Sequence, residues 1–246
     1  MIEIHNITLP YGLSHVSCQI PKGKLVGIMG ANGAGKSTLL KIIAGILPPT
    51  RGEIWLNGQM LSQLTPAQRS SQLAYMAQNT QIQWDLSTYE VISLGLPRAL
   101  SASSERRKIK QMAEMFSILH LLEQPYQQLS GGEKARVQLA RCCIKKAPLL
   151  LVDEPVATLD PYYQIDIMQQ LKSLTPQHTC VVVIHHLDLA YRFCDEVILL
   201  NQGKVLASGP TKRVLTAEHL ATAFGIYADV DSEKREIRGI MKLAES

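Results

Sequence analysis

Residues 30–38 read Gly-Ala-Asn-Gly-Ala-Gly-Lys-Ser-Thr, a spacing suited to wrapping backbone around a polyanion. Gly33 and Gly35 permit backbone conformations and a close approach that a Cβ would obstruct. Amides at the start of the helix after the loop would point at phosphate oxygens, aided by a dipole worth about +0.5 charge. Gly30, Ala31, Asn32 and Ala34 complete the cradle, Lys36 is placed to neutralise β and γ oxygens, and Ser37 to ligate Mg²⁺. Thr38 is expected at the α-phosphate end. A second group, Asp153 and Glu154, follows the apolar run 149–152, so both carboxylates belong at the tip of a buried strand, where open α/β sheets bind ligands. A third group is Leu129-Ser130-Gly131-Gly132-Glu133. There Ser130 can cap a helix, with Glu133 closing a capping box, while Gly131 and Gly132 leave amides open to an anion. The Lys36 loop already serves one anion, so this second helix start points to another contact.

These groups need particular elements behind them. The apolar run 24–29 ending in glycine suits a buried strand, and 37–46 has helical character that Pro48 and Pro49 would stop. Strand, glycine loop and helix in that order are the context a phosphate loop requires. Residues 53–56 followed by Asn57-Gly58 predict a hairpin. From about 87 to 146 the pattern turns helical, with Ile109, Met112, Ala113, Phe116 and Leu119 on one face as a core stripe. The runs 149–152, 181–184 and 197–200 are continuously apolar, as expected of strands covered on both faces.

The 246 residues suffice for one substantial α/β core, and 46% hydrophobic against 19% charged residues is an ordinary globular balance. A net charge of +4 without a dominant basic patch gives no reason to expect a nucleic-acid partner. Cys18, Cys142, Cys143, Cys180 and Cys194 lack metal-ligand spacing and read as reduced thiols of a cytosolic protein. No signal peptide is expected, and no run reaches the roughly 18 apolar residues of a membrane helix.

The glycine loop, the Leu129–Glu133 motif and Asp153-Glu154-Pro155, in this order, resemble the ATP-binding-cassette (ABC) ATPases. The resemblance runs from about residue 4 to 226. It implies an α/β P-loop core with a mainly parallel sheet, an antiparallel β subdomain and an inserted helical subdomain. The core and β subdomain would occupy about 1–86 and 147–227, the helical signature subdomain 87–146, and a C-terminal extension 228–246. By the same resemblance Asp153 holds Mg²⁺, Glu154 activates the attacking water, Gln78 touches the metal, and His185 senses the γ-phosphate. Ser130, Gly131 and Gly132 would contact ATP held by the loop of a second copy, with Asp160 at the interface. The segments 205–210 and 214–216 are similar to cassettes of importers for iron-siderophore, haem and cobalamin chelates. Such a subunit works as a homodimer on two membrane-spanning permease subunits, served by a substrate-binding protein, at the cytoplasmic face of the membrane. The alternatives are a cassette of another importer or exporter class, and a soluble, non-transport ABC ATPase, usually marked by paired cassettes or long coiled-coil insertions that this chain lacks.

Three positions depart from the family pattern. His186 follows the switch histidine where Asp is usual, and Val156-Ala157-Thr158 replaces a more usual Thr-Ser-Ala. The segment between Tyr11-Gly12 and Val16-Ser17 is short, which bears on whether Tyr11 stacks on adenine and implies loose base selectivity.

Overall fold

The computed structural model describes residues 1–10, 12–78, 82, 84–96, 100–231, 234 and 236–242; Tyr11 lies outside them. The chain begins with β1 (Ile2–Leu9), β2 (Leu13–Ile20), β3 (Leu25–Met29) and α1 (Lys36–Ile43). Strands β4 (Arg51–Leu56) and β5 (Gln59–Met60), helix α2 (Pro66–Gln72) and strand β6 (Leu73–Met76) follow. Helices α3 (Thr88–Ser93), α4 (Ala102–Met115) and α5 (Gly131–Cys143) then precede β7 (Leu149–Asp153). The last third comprises α6 (Pro161–Ser173), β8 (Thr179–Val183), α7 (Leu187–Phe193), β9 (Glu196–Asn201), β10 (Lys204–Pro210), α8 (Thr211–Val214), α9 (Ala217–Phe224), β11 (Ile226–Asp231) and β12 (Glu236–Lys242).

Six strands form the central sheet in the order β10-β9-β3-β8-β7-β6, all parallel except the edge pair β9–β10. A four-stranded antiparallel sheet, β2-β1-β4-β5, lies beside it, and β11 and β12 make a separate hairpin. The central strands are apolar throughout because each face has its own core. Val26, Ile28, Leu149, Leu151, Val181 and Val183 pack with α1 and the antiparallel sheet. Their alternates Leu25, Met29, Leu150, Val152, Cys180 and Val182 pack with α5, α6 and α7. This is the period-two alternation of a pleated strand, with neither face left to solvent.

Two expectations are corrected. The helix read as 37–46 ends at Ile43, because Gly45 takes a left-handed conformation (φ +68°) before the prolines are reached. There the amides of Gly45 and Ile46 bond back to Ile42 O and Lys41 O, a Schellman closure. The stripe on α4 buries Ile109, Ala113 and Phe116, whereas Leu119 is exposed because the chain turns out of the helix through Ser117 (φ +54°). The Asn57-Gly58 hairpin has both residues at positive φ, as a tight two-residue turn demands.

The inserted helices pack tightly enough to test. A Cβ built on Gly95, just past α3, would lie 2.2 Å from the backbone oxygen of Arg141 on α5. Gly95→Ala is therefore expected to destabilise the protein by about 1–3 kcal/mol, since backbone cannot move aside as a side-chain tip can. Denaturant unfolding measures the loss, and faster hydrogen exchange confined to 88–93 and 131–143 would locate it.

Candidate functional site

Parallel pairing decides which residues meet. Because β3, β8, β7 and β6 run the same way in register, with Met76 opposite Val152 and Asp153 opposite Val183, their carboxyl ends form one edge. The glycine loop leaves β3 at that edge, Gln78 leaves β6, Asp153 and Glu154 end β7, and His185 lies two residues past β8.

In the loop, Gly30 (φ +147°) passes so close to β9 that a Cβ would sit 2.3 Å from Leu200 O. Gly35 (φ +95°) would meet Gly12 O at 2.7 Å. Gly35 is also the N-cap of α1, with no capping side chain and no acidic residue in the first turn, so the helix start keeps its positive end for an external anion. Lys36 is buried and its Nζ donates to Gly30 O at 2.9 Å and Ala31 O at 2.8 Å, which ties the cradle together from inside. Ser37 Oγ donates to Asp153 Oδ1 at 2.9 Å. These two hard oxygen donors, one ionisable, are the chemistry that Mg²⁺ takes.

Glu154 is a non-glycine residue in the left-handed region (φ +50°), a strained conformation that turns its carboxylate off the strand axis. Gln78 Nε2 donates to its Oε2 at 2.5 Å, and its Oε1 pairs with His185 Nε2. Of the two adjacent histidines, His185 reaches Glu154 and His186 becomes the N-cap of α7 without capping it through its side chain. Thr38 sits behind the loop, 3.5 Å from where a Gly12 Cβ would lie.

Ser130, Gly131 and Gly132 occupy a different place. Ser130 caps α5 through a reciprocal box: Glu133 N donates to Ser130 Oγ at 3.3 Å and Ser130 N to Glu133 Oε2 at 2.8 Å. Asp160 occupies the N-cap position of α6 nearby without a side-chain capping bond, and the depression between the two helix starts is lined by Ser130–Glu133, Arg136, Thr158–Asp160 and Tyr163, with no residue of the Gly30–Ser37 loop. Arg136 and Tyr163 were not singled out in the sequence, because nothing in their local pattern marks them. The same holds for the Gln202-Gly203 turn, which meets Gly12, Leu13 and Gly33 in a groove on the far side of the loop.

The site is electrostatically tense. Burial raises the pKa of Asp153; its hydrogen bond from Ser37 opposes the rise and the neighbouring Glu154 adds to it. Burial lowers the pKa of Lys36 against the pull of Glu154 and Asp153. Both charged forms are thus held at a cost to folding, as expected of groups selected for a task.

The family model for "ABC transporter" matches residues 13–157. The hemin import ATP-binding protein HmuV of Bordetella parapertussis is 36% identical over 246 residues, covering 93% of this chain and 94% of that protein. A protein of the same name from Pseudoalteromonas translucida is 36% identical over 252 residues, covering 96% and 97%. Among solved structures, the dimeric bacterial ABC transporter cassette MJ0796 superposes with a TM-score of 0.77 at 29% identity, covering 86% of this chain and 99% of that one.

The strain on Asp153 has a measurable consequence. A carboxyl whose folded-state pKa is raised keeps its proton to higher pH than the unfolded chain does. Stability therefore falls as pH rises from the unfolded value near 3.8 through the folded one, and the full penalty stands above it. Asp153→Asn retains an acceptor for Ser37 and is expected to raise the melting temperature of the nucleotide-free protein at neutral pH. Calorimetry from pH 8 down to 4 should show that gain shrinking toward the acid end.

Proposed function

The chain belongs to the ABC transporter family, and from that premise we propose that it is the ATP-hydrolysing subunit of an importer for haem or a comparable iron-siderophore or cobalamin-type chelate. It works as a homodimer that sandwiches two ATP molecules between its copies and docks on two membrane-spanning permease subunits. A substrate-binding protein delivers cargo to that permease. The observation that carries the dimer is the separation of two anion-binding helix starts on one chain. The start of α1 lies beside Glu154, while the start of α5 opens into a depression that the Gly30–Ser37 loop does not line. One copy supplies the first to a nucleotide and its partner supplies the second, so Ser130 and Gly132 meet the γ-phosphate that Lys36 of the other copy holds. The chelate reading is supported by the relatives whose names assign them hemin import.

The roles proposed for the site residues come from the family resemblance and are supported by the contacts among them. Gly30–Ser37 wrap the phosphates, Lys36 turns from its own loop carbonyls to the β and γ oxygens, and Thr38 supports the α-phosphate end. Ser37, Asp153 and Gln78 hold Mg²⁺, which when bound supplies charge neutralisation for the leaving phosphate. Glu154 orients and deprotonates water, a task worth about 10²–10⁴-fold in rate. Each of its carboxylate oxygens touches one of two neighbouring groups, the metal-contacting Gln78 and the γ-phosphate sensor His185, so a change at either is felt at the base. Each ATP contacts both copies, so it favours the closed dimer differentially, and Asp160 carries closure from one site to the other.

We assign residues of about 1–86 and 147–227 to the nucleotide-binding core with its β subdomain, 87–146 to the helical signature subdomain, and 228–246 to a C-terminal extension. Permease docking is assigned to the cleft of about 420 Å³ between the end of β6 and α5, and by the family resemblance Asp85 to Leu94 lie near it. No described helix is long and apolar enough to cross a membrane. The importer relatives support placing the subunit at the cytoplasmic face through its permease.

Mixing tests the shared site. Lys36→Ala and Ser130→Arg should each abolish most ATP hydrolysis, yet equal amounts together should recover about a quarter of parental activity, because each mixed dimer retains one intact composite site. No recovery would mean that both groups act within one copy. Gentle solubilisation of native membranes around a tagged chain should co-purify a polytopic permease; recovery only with soluble partners would overturn the importer assignment.

A further inference from the structure

We propose that Arg136 and Tyr163 form a clamp that positions the start of α5 against the Asp160 segment, so that Ser130 and Asp160 reach a second copy's nucleotide as one rigid face. This rests on the shared-site reading and adds to it the residues that hold the face together. Arg136 is 6% exposed, and its guanidinium lies 4.2 Å from the ring centroid of Tyr163 on α6. Its Nη1 donates to Ser117 O at 3.1 Å, at the left-handed turn that ends the α4 region. Its buried Nε–H has no hydrogen-bond partner among the described residues. A buried guanidinium with five donors and so few acceptors is costly, and the aromatic face of Tyr163 supplies the compensating attraction.

Tyr163 is well placed to pass that hold onward. Its neighbour Gln164 donates from Nε2 to Leu159 O at 2.9 Å and Val156 O at 3.3 Å, which fastens the loop leading to Asp160 onto the first turn of α6. On the other side of the depression the signature glycines come close to the same loop. A Cβ on Gly132 would lie 3.1 Å from the Leu159 side chain, and one on Gly131 would lie 3.9 Å from Thr158. Small residues permit the approach, and the cation–aromatic stack sets its angle. A lysine at position 136 would keep the charge and lose the planar stack.

Tyr163→Leu keeps apolar bulk but removes the ring. It should lower kcat about tenfold, and weaken ATP-dependent dimerisation in the Glu154→Gln background about tenfold. Fluorescent-nucleotide binding by the monomer should stay at its parental value, while the melting temperature falls by about 2–4 °C because the buried guanidinium loses its ring. Arg136→Lys should follow Tyr163→Leu, and Tyr163→Phe should rescue both losses. Parental kcat and dimerisation in Tyr163→Leu would overturn the clamp. So would a loss of monomer affinity as large as the loss of dimerisation, since that describes a merely structural contact. If the Lys36→Ala and Ser130→Arg mixture fails to recover, the shared-site reading falls first. If it recovers while Tyr163→Leu is silent, only the clamp falls.

Discussion

The parallel register of β3, β8, β7 and β6 is the constraint on which the rest depends. Had any of these strands run the other way, its carboxyl-terminal residue would lie at the opposite edge of the sheet. Glu154 would then lose Gln78, His185 or the glycine loop. Parallel strands need long crossovers, and burial on both faces makes such pairing stable. The continuous apolar runs and the two cores above and below the sheet are therefore requirements of the site as much as of the fold.

The two helix starts illustrate how local chemistry is divided between folding and function. At α5 the Ser130–Glu133 box satisfies the amides of those two residues internally and fixes where the helix begins. At α1 no side chain does so; glycine backbone and the Lys36 ammonium shape the approach. The second arrangement leaves the helix less well capped and better able to meet phosphate. Asp153 and Lys36, both buried with pKa values displaced toward neutrality, sit beside that uncapped start. Charge is thus held at a cost where a polyanion is to be received, and the apolar sheet beneath offsets it.

The Arg136–Tyr163 stack lies between the inserted helices and the loop to Asp160. Rigid coupling there matters because a nucleotide held by two chains is sensitive to errors in both placements. A planar cation over a ring is directional, unlike the apolar contacts that otherwise join these layers.

Much of the chemistry was legible in the residues themselves. The Gly30–Thr38 loop, the Asp153-Glu154 pair and the Ser130 capping box are each built from consecutive residues, and backbone sterics and first-turn hydrogen bonds act over that range. The Asn57-Gly58 hairpin was legible for the same reason. Helix ends were less so: Gly45 closes α1 before Pro48, since a left-handed glycine terminates as effectively as a missing N–H and acts earlier in the chain. What only the tertiary structure decided is which distant groups touch. The order β3-β8-β7-β6 joins Gln78, Glu154 and His185, and the packing of α5 on α6 sets Arg136 over Tyr163. Those contacts come from strand register and helix packing between segments remote in sequence, and many pairings satisfy the same apolar pattern until the whole core is assembled.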